Sequence, residues 1–157
     1  SWEVTAISTE HAYTMDVYAF RFVENETGQT FVFSGDTTPL DSMVAFAEGA
    51  DVLVHECNIT GKAETPLDPD DVHERYSEPP FADYFAWVFG ESTQEELTEQ
   101  LHSAPSDAGR IADAAGVDTL VLTHLNPLRN PADIRREAEA EFDGTVSVAE
   151  DGMQLSL

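Results

Sequence analysis

Histidines and one aspartate recur along this 157-residue chain just beyond the predicted ends of strands. His11 follows the first predicted strand, and Asp36 follows Gly35, whose flexible backbone allows a turn at the end of the third. His55 and His124 stand at the ends of two later apolar runs. In folds of alternating strands and helices, sites are commonly built at this edge of the sheet. Neutral imidazole and carboxylate suit Zn²⁺, Mn²⁺ and Fe, so the pattern predicts a metal-binding edge.

Each of these residues also has an ordinary interpretation, which the residues alone leave open. A single histidine in a loop is more often a hydrogen-bonded surface residue than a ligand, and we interpret His73 in this way. Asp36 could instead cap the helix predicted over residues 40–47.

The elements that must position these residues follow from the period of the apolar residues. The predicted strands are residues 2–8, 17–23, 30–33, 51–54, 119–122, 145–149 and 153–157, and the predicted helices are 40–47, 105–115 and 131–142. A strand meander followed by alternating strands and helices predicts an α/β fold in one domain over residues 1–157, with helices packed against a mixed sheet.

Residues 61–100 differ from their surroundings and are predicted to be an insertion within this domain. The segment is acidic and contains an aromatic cluster, which consists of Phe81, Tyr84, Phe85, Trp87 and Phe89. Such a cluster fits a lid over a pocket or a homodimer contact. Packing of an amphipathic helix explains it equally well.

The charge of the chain is strongly negative and evenly spread. It has 31 acidic and 7 basic side chains, for a net charge of −24. Self-repulsion of this size destabilises a compact protein unless salt screens it, so we expect a protein of a high-salt cytoplasm, of halophilic type. The same field repels phosphate, which argues against general nucleic-acid binding. The charge therefore indicates habitat and excludes a class of partner.

Other classes are excluded by composition. No stretch approaches the roughly 20 apolar residues of a membrane span, so we expect no membrane contact. The single cysteine, Cys57, excludes an internal disulfide framework and a cysteine-rich zinc module. With 41% hydrophobic residues the chain can build a core.

Four motifs stand in a specific order: Ser34-Gly35-Asp36-Thr37, His55-Glu56, His102-Ser103 and Leu122-Thr123-His124-Leu125. In this order and spacing they resemble the metallo-β-lactamase fold, and within it the ribonuclease Z and arylsulfatase-like branch. The step from His102 to His124 resembles the C-terminal signature of that branch, and His11 resembles the histidine before its central hairpin. The resemblance covers nearly all of residues 2–157. It implies an αββα sandwich, of which this chain would form the C-terminal half.

The resemblance implies a role for each matching residue. His11 would be a ligand of a first metal ion, Asp36 would bridge two divalent ions, expected to be zinc, and His124 would be a ligand of the second. His102 would bind phosphoryl or sulfonyl oxygens of the substrate or protonate the leaving group. Glu56 would orient His102. The implied reaction is hydrolysis by a metal-bound hydroxide of a small phosphodiester, sulfate ester or related ester.

The chain departs from the family in one important respect, because the H-x-H-x-D-H cluster that supplies most metal ligands is absent. A catalytic zinc normally has about three protein ligands. We therefore expect the chain to be the C-terminal part of a longer protein, or a half that pairs with another chain, and to be inactive alone. A single ion held by His11, Asp36 and His124 is a further interpretation.

Two features bear on the substrate. Where bacterial ribonuclease Z carries a long tRNA-gripping arm, the segment between His11 and Asp36 is a plain hairpin. Leu125-Asn126-Pro127 resembles the small-molecule hydrolases more than ribonuclease Z. A small ester is thus the expected substrate, and nucleic acid is not expected as a partner. The rival interpretation is a non-catalytic structural or protein-binding module of the same fold, although retention of the four site residues His11, Asp36, His102 and His124 favours an enzyme.

Overall fold

The computed structural model describes residues 1–11, 16–58, 101–126 and 129–155. Within these ranges the strands are β1 (Trp2–Thr9), β2 (Val17–Glu24), β3 (Thr30–Phe33), β4 (Val52–Cys57), β5 (Thr119–Leu125) and β6 (Thr145–Val148), and the helices are α1 (Asp41–Ala47), α2 (Pro105–Ala115) and α3 (Pro131–Glu139). The strands form one sheet in sequence order. The first three pair antiparallel, and β3 to β6 pair parallel. This mixed sheet with packed helices confirms the predicted α/β class.

The core lies between one face of the sheet and the helices. Buried strand residues on this face, such as Val32, Leu53 and Leu120, belong to one apolar cluster with Ile111 of α2 and Ile134 of α3. Side chains of a strand alternate between its two faces, so the parallel strands present every second residue to the helices. This cluster fixes the spacing of the strands whose ends carry the predicted site.

The opposite face of the sheet is rich in aromatic residues. Trp2, Phe20 and Phe33 are exposed on it among the described residues. Phe22 and Phe31, which are paired across β2 and β3, stack with ring centroids 4.3 Å apart. A monomeric protein rarely exposes a large contiguous apolar patch, so this face has the composition of a contact surface.

Local sequence explains where α2 and α3 begin. Pro105 is the first residue of α2, and the Asp107 carboxylate accepts a hydrogen bond from the Ala104 backbone N–H, at 2.9 Å. In α3 the Asn130 side chain accepts from the Ala132 N–H, and Pro131 follows the cap. The start of α2 places His102 directly before the helix.

The largest differences between predicted and observed boundaries are at the ends of β4, β5 and α3. Strands β4 and β5 run three residues further than predicted, because their parallel pairing continues through Glu56 and Thr123. Helix α3 ends at Glu139 and not near Phe142. Residues 153–155 form no strand, contrary to the prediction for 153–157, of which the last two lie outside the described residues. The insertion 61–100 and His73 also lie outside them.

Candidate metal centre

The predicted site residues come from separate elements that end at the same edge of the sheet. Asp36 follows β3, Glu56 lies near the end of β4, and His124 lies near the end of β5. These strands are parallel, and two antiparallel pairings give β1 the same direction, which brings His11 to this edge. His102 reaches it from the residues before α2. The topology thus collects all five predicted residues.

Glu56 is buried at this edge, with 1% of its surface exposed, and accepts hydrogen bonds from several surrounding segments. Its Oε1 accepts hydrogen bonds from the Thr37 N–H at 3.0 Å and the Ser103 N–H at 3.1 Å. Its Oε2 accepts from the Asn58 N–H at 3.0 Å. The His102 Nδ1 lies 2.9 Å from Oε1. Because its oxygens are occupied by several donors, the carboxylate is suited to orienting neighbours rather than to ligating a metal ion.

Three imidazole rings form a row beside Glu56. The ring centroids of His11 and His102 are 4.7 Å apart, and those of His102 and His124 are 4.9 Å apart. His11 Nδ1 contacts the Leu101 carbonyl, and His102 Nδ1 contacts Glu56. The third ring, His124, has a partner at each nitrogen, since Nε2 contacts Asn58 at 3.0 Å and Nδ1 contacts Asp36. Metal-ligating histidines in proteins usually have one ring nitrogen held in this way.

Asp36 and His124 form the exposed side of the site. Nδ1 of His124 lies 2.8 Å from Oδ1 of Asp36, and the two side chains are 39% and 45% exposed. Helix α1 has Leu40 at its N-cap position and no side-chain cap, so Asp36 does not serve as its cap. Its carboxylate is therefore available at the site.

The backbone of His124 is unusual, with φ at +48°. The register between β4 and β5 shifts at this point, so that Glu56 pairs with Thr123 while Cys57 pairs with Leu125. The extra residue is His124. A bulge of this kind redirects a side chain, and positive φ is unfavourable for a residue other than glycine. Local strain thus turns the imidazole toward Asp36.

The donor set fits a divalent metal ion. Ligand atoms of Glu56, His102 and His124 all lie within 4.8 Å of one another, and this group does not include the predicted ligands His11 and Asp36. Asp36 adjoins the group through its contact with His124. Of the two carboxylates, Asp36 is the better ligand, since Glu56 is held by backbone donors. Imidazole nitrogen with carboxylate oxygen is the chemistry that zinc, manganese and iron sites use. The ligand roles of His11, Asp36 and His124 remain predictions.

His55 does not join the site, although the sequence placed it among the residues at strand ends. It lies inside β4, is fully buried, and its Nδ1 contacts the Glu56 carbonyl at 2.7 Å. No described residue forms a hydrogen bond with its Nε2. Burial lowers the pKa of His55, while the Glu56 carbonyl and the charges of Glu56 and Asp107 oppose that shift. His55 is a residue of the packed interior.

Sequence reasoning missed Asn58 as a residue of the site. It follows β4 and contacts the site through both its backbone and its side chain. Its position two residues after Glu56 was the only available signal. An asparagine after a strand is also common in turns, so that signal was weak.

Most of the chain matches a known protein family. The family model described as the beta-lactamase superfamily domain matches residues 1–125. The chain belongs to the metallo-β-lactamase superfamily. Members of this superfamily include metal-dependent hydrolases, so a divalent metal ion is expected for the family's site.

Individual relatives of this superfamily chain include ribonuclease Z proteins. One from Myxococcus xanthus is 32% identical over 132 residues, which is 83% of this chain and 33% of that protein. One from Haloarcula marismortui is 30% identical over 129 residues, covering 81% of this chain and 32% of that protein. The chain therefore spans about a third of the length of these curated relatives.

A solved structure shows the same architecture. The metallo-β-lactamase-fold protein YhfI from Bacillus subtilis superposes with a TM-score of 0.70 at 27% identity, covering 97% of this chain and 48% of that protein. Together with the family match, this confirms the resemblance to metallo-β-lactamase-fold hydrolases, with a likeness to ribonuclease Z. The likeness to arylsulfatases stays a prediction.

The comparisons also bear on the expected partners. The relatives named ribonuclease Z weaken both the expectation that nucleic acid is not a partner and the expectation of a small ester as substrate. The homodimer contact and the high-salt cytoplasm stay predictions. No helix among the described residues is long and apolar enough to cross a membrane.

Proposed function

We propose that this superfamily chain contributes the C-terminal half of the active site of a metal-dependent phosphodiesterase. The observation that carries the proposal is the row of three imidazoles, in which His11 and His102 are each held through Nδ1 and His124 is held between Asn58 and Asp36. These contacts fix the three rings beside one another, with Nδ1 of His124 facing the Asp36 carboxylate. A sheet edge that served only packing would have no need of this arrangement.

The contacts support a role for each residue. His11, Asp36 and His124 would hold the divalent ions, expected to be zinc, through their ring nitrogens and the exposed carboxylate. Bound ions of this kind lower the pKa of water and neutralise charge on a phosphate. His102, fixed by Glu56, lies between the two other rings and binds a phosphoryl oxygen or donates a proton to the leaving oxygen.

The remaining ligands come from polypeptide outside these 157 residues. Each ion would have only one terminal ligand and the bridge from this chain, whereas about three protein ligands are usual. The exposed aromatic face of the sheet, with Trp2, Phe20 and Phe33, is the surface on which a second sheet would pack. The chain alone is expected to be inactive.

A small phosphodiester is the proposed substrate class. A net charge of −24 repels a polyanion. The segment between His11 and Asp36, where an RNA-gripping arm would stand, has 24 residues, and its described part forms the β2–β3 hairpin. The names of the ribonuclease Z relatives make a tRNA precursor the alternative to be tested.

The test uses the complete polypeptide in molar KCl with Zn²⁺. We expect hydrolysis of bis(p-nitrophenyl) phosphate, and its loss in Asp36→Ala. Asp113→Asn, an exposed change on α2, is the matched control and should retain activity. Activity that survives Asp36→Ala would refute the bridging role. Faster cleavage of a tRNA precursor than of small diesters would replace the proposed substrate class.

A non-catalytic binding module is the second candidate, favoured by the exposed aromatic face. It predicts that the complete polypeptide has no metal-dependent hydrolysis, and that substitution of Trp2 or Phe20 weakens association with its partner. The assay of metal-dependent hydrolysis by the complete polypeptide separates the two candidates.

A further inference from the structure

Asn58 is fixed in place by its backbone from two sides. Its N–H donates to Oε2 of Glu56 at 3.0 Å, and its carbonyl accepts from Nδ2 of Asn126 at 3.0 Å. Both partners are buried, with 1% of each residue exposed. Since its backbone is held by buried groups, its side chain starts from a defined position.

That side chain meets His124. Its Nδ2 lies 3.0 Å from Nε2 of His124, on the far side of the ring from the Nδ1 that faces Asp36. The backbone of His124 is in the unfavourable left-handed region, with φ at +48°. An imidazole on such a bulge needs side-chain contacts to hold one orientation, and among the described residues Asp36 and Asn58 provide them.

The group that holds His124 differs in kind from those that hold the two neighbouring rings. His11 is held by a backbone carbonyl, and His102 by the Glu56 carboxylate. His124 is held by an amide, which has a donor and an acceptor of nearly equal shape. Nδ2 donates to Nε2 when the proton is on Nδ1. Turned over, the amide accepts from Nε2–H through Oδ1 when Nδ1 is a ligand.

We propose that Asn58 is a positioning residue that holds His124 in its metal-binding orientation, so that Nδ1 faces the ion beside Asp36. This rests on the proposed function, in which His124 is a metal ligand. Loss of such an outer partner typically weakens metal affinity by about 10–100-fold.

The experiment measures Co²⁺ affinity of the complete polypeptide by chelator competition, together with the visible absorption bands of the bound Co²⁺. Asn58→Ala should weaken binding by about 10–100-fold and shift the bands, because the ring is free to turn. Asn58→Asp keeps an acceptor for Nε2–H, so it should bind Co²⁺ more tightly than Asn58→Ala and leave the bands unshifted. Asn25→Ala, in the exposed β2–β3 turn, is the matched control and should change neither readout.

The outcomes separate this inference from the proposed function through His124→Ala. Wild-type affinity in His124→Ala, or no Co²⁺ binding by the wild type, would refute the metal site itself. Weak binding in His124→Ala with wild-type affinity and bands in Asn58→Ala would overturn only the role of Asn58. Where Asn58→Ala does not fold, Asn58→Asp decides, since a loss as large as that of His124→Ala contradicts an acceptor role.

Discussion

At the scale of single residues, the site depends on a carboxylate that is unsuited to be a ligand. Glu56 accepts hydrogen bonds from the backbone N–H groups of Thr37, Asn58 and Ser103. It thereby connects the segments that follow β3 and β4 with the segment that precedes α2. It also contacts His102. The orienting role was predicted from the resemblance, but the three backbone donors were not, because they come from distant parts of the chain that meet only in the fold.

Replacing Glu56 by Gln should therefore impair stability and activity together. The amide has one acceptor oxygen, so at least one buried N–H loses its partner, at a cost of about 1–3 kcal/mol in the free energy of unfolding. Hydrolysis by the complete polypeptide should fall by about tenfold or more, because His102 is less well held. Urea unfolding and initial rates test this, with the exposed Glu48→Gln as control. Unchanged stability would show that the backbone bonds to Glu56 contribute nothing.

His55 should make stability depend on pH. Burial lowers its pKa in the folded protein from the ordinary value of 6.5. The unfolded chain therefore binds a proton first as the pH falls below about 6.5, and proton binding favours unfolding. We expect the free energy of unfolding to decrease between pH 7.5 and 5, with a smaller decrease in His55→Gln. The free energy of unfolding is measured by urea unfolding at fixed KCl. The same pH dependence in the wild type and in His55→Gln would contradict a lowered pKa of His55.

At the scale of elements, most of the architecture could be predicted. The order of strands and helices follows from apolar period, and the starts of α2 and α3 follow from their prolines and caps. The ends of β4 and β5 could not, because pairing between strands that are far apart in sequence extends them. The bulge at His124 also results from pairing between β4 and β5, which are far apart in the sequence. It could not be predicted, because the sequence has no glycine at this position to indicate positive φ.

Two glycines on neighbouring turns provide a matched test of how the elements place Asp36. Both have positive φ, at +61° for Gly35 and +77° for Gly28. A Cβ on Gly35 would lie 2.7 Å from the Tyr18 carbonyl oxygen, whereas one on Gly28 would meet nothing within 4 Å.

Gly28→Ala should cost about 1 kcal/mol of stability from its φ alone. Gly35→Ala should cost about 1–3 kcal/mol more, because the end of β3 must move away from β2. Urea unfolding measures the difference, and metal affinity should fall in Gly35→Ala only. Equal destabilisation by the two substitutions would show that the close approach to Tyr18 is unimportant.

At the scale of the whole molecule, charge should govern stability. Several described arginines pair locally, as in Arg129–Glu137 and Arg135–Glu139. The 31 acidic side chains of the chain outnumber its 7 basic ones, so a net charge of −24 remains. Salt screens the resulting repulsion, over about 10 Å at 0.1 M and about 3 Å at 1 M.

The urea concentration at the unfolding midpoint should therefore rise as KCl increases from about 0.1 M to 1 M, the range in which screening shortens most. A variant with three exposed acids amidated, Asp113→Asn, Asp118→Asn and Asp143→Asn, should show a smaller rise. A midpoint independent of KCl in the wild type would contradict the expectation of a high-salt protein.

The whole-molecule arrangement also explains what the sequence could not supply about the site. His11, Asp36, His102 and His124 were predicted from type and spacing, and they do meet at one edge. Which nitrogen of each ring is held, and by which residue, depends on contacts across the edge that no local pattern encodes. The exposed aromatic face likewise becomes visible only when three strands are paired.

The most direct test of a metal centre built on Asp36 is the zinc content of the complete polypeptide. It is measured by elemental analysis in molar KCl alongside the intact mass. Complete polypeptide should retain Zn²⁺ after dialysis in the wild type and in Asp113→Asn, and should lose it in Asp36→Ala. Equal zinc in all three proteins, or zinc in none of them, would contradict a metal centre built on Asp36.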